Sequence, residues 1–206
     1  MPTLSGRFFL NSFERTDRIF RIFRKLPRAV RSFVIDKYVA YVRKQAVGVV
    51  VPERLTIFLT NQCNMKCAHC FIVKEVQPKL DLMTLSHYKQ LFKSVRGKVA
   101  QILITGGEIT LRKDWVDIIV SASKDGGVKT ANILTNGLHG EAFVAQVAQL
   151  FSACDITVNF QVSLDGLREF HDKNRRVPGC FDKAIHTLDL LKQVASRHPQ
   201  RVSRIM

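Results

Sequence analysis

From Leu55 onward, short apolar runs alternate with longer amphipathic ones, and this limits the fold more than any other feature. Residues 55–60 form an apolar run that ends at Asn61. Residues 84–95 have helical spacing, with Thr84 placed to cap them ahead of Leu85, Tyr88, Leu91 and Phe92. Residues 99–105 read as a strand closed by Gly106 and Gly107, and 113–124 as a helix stopped by Gly126 and Gly127. Residues 128–135 are a strand before the Asn136, Gly137 turn, and 140–152 a helix. Residues 156–164 are a strand, 181–196 a helix before Pro199, and 201–206 begin a fifth strand. Strands that alternate with helices pair in parallel. Such units build an open doubly wound sheet or a barrel, complete or partial, and periodicity does not separate the two. In either case functional residues collect at the C-terminal ends of the strands.

The first 50 residues differ in character. Within 8–47, Phe9, Phe13, Phe20 and Phe23 recur at helical spacing until Pro27, and Val30, Phe33, Val34, Tyr38, Tyr41 and Val42 form a second stripe. This segment holds eleven Lys and Arg against Glu14, Asp17 and Asp36, so it supplies eight of the formal net charge of +15. We expect a basic amphipathic helical segment over 1–50 and a separate domain over 51–206. A helical pair packed on the domain is the plain reading of 1–50. Docking on an acidic membrane surface is the alternative, ahead of nucleic acid or a partner protein. No apolar run is long enough and free enough of charge to cross a bilayer, and no secretory signal pattern is present.

Read in order, the strand ends carry chemistry. The first leads into Cys63-Asn64-Met65-Lys66-Cys67-Ala68-His69-Cys70. The second ends in Thr105-Gly106-Gly107-Glu108, the third in Thr135-Asn136-Gly137 and the fourth in Ser163-Leu164-Asp165-Gly166. A parallel sheet brings all four to one rim. Thiolates are soft ligands suited to iron–sulfur clusters, zinc or Cu(I). The C-x3-C-x2-C spacing differs from the ferredoxin spacings, and three thiolates leave one iron of a cubane without a protein ligand. That vacancy is what a metal needs in order to bind and polarise a substrate. Zinc would need a fourth ligand, and neither His69 nor the distant Cys154 and Cys180 is well placed to supply it, so a cluster is the stronger reading. Each of the other motifs, taken alone, is commonly just a turn. Their shared rim gives them weight. Five cysteines, an odd number with three packed together, argue against a secreted disulfide framework and for a reducing, cytoplasmic setting.

The cysteine loop resembles the defining motif of the radical SAM superfamily. Gly106-Gly107-Glu108 resembles that family's second-strand motif, usually Gly-Gly-Glu-Pro, with Ile109 in the proline place. Ser163-Leu164-Asp165-Gly166, then His171-Asp172-Lys173-Asn174-Arg175 and the stretch from Pro178 to Ile185, resemble the branch that often carries a C-terminal SPASM extension. Arg176 stands where that branch has glycine. The resemblance covers roughly residues 55 to 192.

The resemblance implies a partial (β/α) barrel of the radical SAM type, here with about four βα units. It implies a [4Fe–4S] cluster on Cys63, Cys67 and Cys70, and S-adenosylmethionine on its open iron. Gly106, Gly107 and Glu108 would contact the cofactor's ammonium, and Ser163 and Asp165 its ribose or nearby polar atoms. Arg175 would reach its carboxylate, Thr135 and Asn136 would line the same rim, and His69 and Phe71 would touch adenine. The implied chemistry is reductive cleavage of the cofactor to a 5′-deoxyadenosyl radical. It needs an electron donor and a substrate, which the branch suggests is a peptide or protein. Against six βα units in a full core, the sequence stops inside the fifth strand, so we expect a C-terminally shortened chain. A catalytically incomplete iron–sulfur or metal-binding interaction protein that keeps the fold stays open.

Overall fold

The computed structural model describes residues 52–72 and 83–206, with 27, 29–30 and 32–37 of the N-terminal segment. Contacts divide the chain into two units, Met1–Val50 and Val51–Met206. In the first unit, residues 29–30 and 32–37 are helical, and Phe33 is 62% exposed beneath the Lys37 ammonium. The rest of the expected helical pair lies outside the described residues.

The second unit alternates strand and helix. The strands are β1 (Arg54–Thr60), β2 (Gln101–Gly106), β3 (Thr130–Thr135), β4 (Thr157–Val162) and β5 (Val202–Ile205). The helices are α1 (Leu85–Ser94), α2 (Trp115–Lys124), α3 (Gly140–Ala153), α4 (Arg168–Arg175) and α5 (Cys180–Arg197). A 3₁₀ turn, Ile109–Leu111, follows β2. The strands form one sheet in the order β1-β2-β3-β4-β5, every pair parallel.

That order settles the ambiguity left by periodicity. A doubly wound sheet reverses its strand order at a switch point. Here the order never reverses, and right-handed crossovers then put every helix on one face. The result is an arc of a (β/α) barrel. The strands show which face is covered. Ile57, Leu59, Ile102, Ile104, Ala131, Ile133, Val158 and Phe160 are buried and share one core with Phe92, Trp115, Ile118, Phe143, Leu150 and Leu191. Phe143 bridges the layers, 5.9 Å from the Trp115 ring and edge-on to Phe160 at 5.7 Å. The opposite face carries partly exposed residues: Phe58 on β1 is 54% exposed, and the half-buried Asn159 Nδ2 on β4 donates to Asn132 Oδ1 on β3 at 2.9 Å.

Local signals hold where expected. Thr84 Oγ1 accepts from His87 N, and His87 Nδ1 accepts from Thr84 N, a reciprocal cap on α1. Two elements were not foreseen. The 3₁₀ turn is only three residues long. Helix α4 has the sequence REFHDKNR and buries only His171 and Arg175, so it lacks the apolar stripe that periodicity detects.

Candidate functional site

The rim begins with a close backbone meeting. Gly107 N donates to Thr60 O at 2.7 Å and Glu108 N to Gln62 O at 2.8 Å, so the turn after β2 is pinned to the start of the cysteine loop. Gly106 has φ +131°, and a Cβ there would run into the Thr60 carbonyl. A Cβ at Gly107 would fall inside the contact radius of the Gln62 carbonyl oxygen. Both obstacles are backbone and neither can swing aside. Only glycine permits this approach.

Glu108 then turns inward. Its side chain is buried, and Oε1 accepts from the Thr135 hydroxyl at 2.8 Å and the Thr110 hydroxyl at 3.0 Å. Oε2 accepts from Asn136 N at 2.8 Å. The carboxylate ties the ends of β2 and β3 together and lies beneath the cavity lining, not on it. The side chain expected to meet a cofactor ammonium is instead bonded to Thr110, Thr135 and Asn136.

Above this floor is a cavity of about 380 Å³. Cys63, Cys67 and Cys70 line it together with Gly106, Gly107, Thr135, Asn136, Ser163, Arg175, His69 and Phe71. All three thiols are free and partly exposed. Burial pushes the Cys63 thiol up, and the nearby Glu108 adds to this against a backbone hydrogen bond at Met65. Burial also pushes Cys67 up, with the Arg175 charge pulling the other way. Among the described residues, no three His, Cys, Asp or Glu converge tightly enough to hold a single metal ion. A cubane does not ask for that, because each thiolate meets a different corner iron. Three thiols lining one cavity beside the two glycines fit a cluster.

The far wall is helix α4. Arg175 Nη2 donates to Asp165 Oδ1 at 2.6 Å and Nε to Oδ2 at 3.0 Å, a two-pronged pair. Burial pushes the Asp165 carboxyl up, but hydrogen bonds from Arg175 and Asn174, and the Arg175 charge, outweigh it and hold the group below its ordinary range. Asp165 does not line the cavity; its carboxylate is turned to this pair. Arg175 is buried yet reaches the lining. Asn174 joins the wall to the cysteine loop: its carbonyl accepts from Ala68 N at 2.8 Å, and its Nδ2 donates to Asp165 Oδ2 at 2.7 Å and lies 2.8 Å from His69 Nδ1.

Every proposed site residue thus sits on one rim, with Glu108 and Asp165 turned inward. Sequence reasoning missed Asn174, Asn64, and the apolar lining from Phe58, Met65, Ile72 and Leu134. Asn174 lay inside a quoted motif, but with α4 unassigned nothing placed its side chain at the rim. His171 is buried, and its Nδ1 accepts from Asp165 N at 3.2 Å.

Comparison with known proteins follows the same line. The sequence profile of the Radical SAM superfamily matches residues 57–206. The molybdenum cofactor biosynthesis protein moc-5 of Caenorhabditis elegans is 34% identical over 142 residues, 67% of this chain and 23% of its own length. The sporulation killing factor maturation protein SkfB of Bacillus subtilis is 29% identical over 143 residues, 69% of this chain and 33% of its own. The chain thus spans a third or less of these two relatives. Among solved structures, Streptococcus suis SuiB bound to S-adenosylmethionine superposes with a TM-score of 0.56 at 20% identity, covering 92% of this chain and 43% of that one. SuiB bound to its precursor peptide SuiA gives 0.55 at 21% identity, covering 82% and 37%. At these identities the likeness concerns the fold.

Proposed function

The chain belongs to the radical SAM superfamily, and from that premise we propose that its rim holds a [4Fe–4S] cluster and S-adenosylmethionine for radical generation on a peptide substrate. The observation that carries this reading is the single cavity lined by Cys63, Cys67, Cys70, Gly106 and Gly107.

Cys63, Cys67 and Cys70 would hold the cluster, leaving one iron for the amino and carboxylate groups of S-adenosylmethionine. Bound together there, the two groups would supply one-electron reductive cleavage of S-adenosylmethionine and hydrogen-atom abstraction from the substrate. The protein's part is placement. Gly106 and Gly107, pinned against the cysteine loop, line the cavity, where their backbone carbonyls would accept from the cofactor's ammonium. Arg175 presents a fixed positive charge toward the cofactor carboxylate, held in aim by Asp165. Ser163 offers a hydroxyl to the ribose from the end of β4, and Thr135 and Asn136 line the rim beside it. Exposed Phe71, with His69, supplies a surface for adenine.

A peptide is favoured as substrate because SkfB is a maturation protein by name and SuiB is seen with a precursor peptide. An external one-electron donor is required, and the SPASM-associated branch is favoured by the motifs around Ser163 to Gly166 and His171 to Arg175. For residues 1–50 we keep the reading of peripheral contact with acidic lipid, supported by their excess of basic residues. Among the described residues no helix is long and apolar enough to cross a membrane.

The test is anaerobic incubation of the reconstituted chain with reductant and S-adenosylmethionine. Methionine and 5′-deoxyadenosine should form together, and neither should form with Cys67→Ala. A cluster-bearing wild-type chain that neither binds nor cleaves the cofactor would overturn the reading.

A further inference from the structure

Asn136 is 7% exposed and every polar atom of its side chain is engaged. Its backbone N–H is taken by Glu108 Oε2 at 2.8 Å, and its Oδ1 accepts from Leu138 N at 3.0 Å. The second bond fixes which end of the amide is which. Nδ2 must point the other way, where it donates to Asn64 Oδ1 at 2.7 Å and lies 3.9 Å from Cys63 Sγ. Flipping the Asn136 amide would strip Leu138 N of its acceptor and set two carbonyl oxygens face to face.

Asn64 completes the arrangement. Its Oδ1 is fixed by Asn136, so its Nδ2 is fixed as well. That Nδ2 is buried with no hydrogen-bond partner among the described residues. A buried donor left unpaired is costly and marks a place where an acceptor belongs. Asn64 directly follows Cys63, whose sulfur lies 4.0 Å from its Oδ1. Two amides therefore crowd one thiol. Cys67 is different: its charged neighbour is Arg175.

We propose that Asn136, aimed by Asn64, donates an N–H to the Cys63 sulfur and raises the reduction potential of the cluster held there. The inference rests on the cluster reading above. A thiolate on a cluster is a hydrogen-bond acceptor, and it becomes a stronger one when the cluster gains an electron. A fixed N–H donor favours the reduced state, which is how hydrogen bonds to cluster sulfurs tune potential. The two residues act through Cys63, so they are positioning and tuning groups and not catalytic ones.

The experiment uses the full chain, reconstituted anaerobically, with EPR-monitored redox titration and iron counting. Asn136→Ser keeps an oxygen for Leu138 N but removes the amide donor. Asn64→Leu removes the acceptor that aims Asn136, and the orphan donor with it. Each variant should keep its iron. In each, the ratio of reduced to oxidised cluster at a fixed solution potential should fall roughly tenfold, about 59 mV more negative for one electron. Should both variants keep their iron and titrate like wild type, the inference is overturned while the cluster reading stands. Iron loss with an unshifted potential in the remaining cluster also overturns it, since the pair would then only support the loop. A wild-type chain that takes up no cluster ends both.

Discussion

Arg175 and Asp165 meet in a two-pronged ion pair, Nη2 to Oδ1 at 2.6 Å and Nε to Oδ2 at 3.0 Å, that fastens the short polar helix α4 to the end of β4. Both side chains are largely buried, at 8% and 14% exposed. The neighbouring Asn174 carries the link on to the cysteine loop. A helix with almost no apolar face is thus held largely by polar contacts, of which this pair is the buried charged one, beside the bonds of Asn174, His171 and Asp172.

Removing one partner leaves the other as a buried, uncompensated charge. Asp165→Asn should lower stability on the order of 3 kcal/mol in urea at pH 7. The pH dependence has a definite sign. The folded carboxyl titrates below its unfolded value, so its stabilisation is fully present above that unfolded value, near pH 4, and is lost as pH falls through the lower folded value. The stability gap between wild type and Asp165→Asn should be flat from pH 7 to about 5 and shrink below about 4. A gap unchanged down to pH 3 would contradict the assignment.

Gly107→Ala tests the backbone approach. The new Cβ would collide with the Gln62 carbonyl, so the turn after β2 and the cysteine loop must separate. Overpacking of this kind costs about 2 kcal/mol. Iron retained after desalting should fall more than the thermal midpoint alone would explain. An alanine variant that holds iron as well as wild type would show that the close approach is not needed.

Glu108 separates positioning from direct contact. A glutamine keeps one oxygen for Asn136 N and can reorient the Thr135 and Thr110 hydroxyls, so Glu108→Gln should cost about 1 kcal/mol. Glu108→Ala strands several buried groups and should cost about 3 kcal/mol. Calorimetry should find S-adenosylmethionine affinity for Glu108→Gln within tenfold of wild type, roughly 1.4 kcal/mol. A much larger loss would mean the carboxylate meets the cofactor after all.

Cys180 should be chemically silent. It is fully buried and its Sγ donates to Asp172 Oδ1 at 3.2 Å, and burial together with that bond pushes the thiol up to about 11. At pH 8 almost no thiolate is present. Alkylation of the native apo chain followed by mass spectrometry should leave Cys180 unmodified, and denaturation should expose it. Rapid native labelling of Cys180 would contradict the packing of α5.

Much of this architecture was legible in the sequence, for identifiable reasons. The strands of 55–60 and 128–135 announce themselves by apolar content, and Thr84 by its capping position. The convergence of Cys63, Gly106, Thr135 and Ser163 follows from parallel topology alone. What stayed hidden depended on polar contacts across long separations. Helix α4 has no stripe to read, so Asn174 and its reach to Ala68 and His69 could not be foreseen. The inward turn of Glu108 depends on Thr110 and Thr135 being near enough to bond it, which no spacing rule encodes. The choice of barrel over doubly wound sheet lies in strand order, a property of the whole sheet that local pattern does not carry.

The most direct measurement is iron and acid-labile sulfide per folded chain after anaerobic reconstitution, for wild type and for Cys63→Ala, Cys67→Ala and Cys70→Ala. The account predicts about four irons and four sulfides on the wild type and a sharp loss with each alanine. A folded wild-type chain that binds one zinc tightly and takes up no iron, or one that keeps its full iron content when any of the three cysteines is removed, would contradict it.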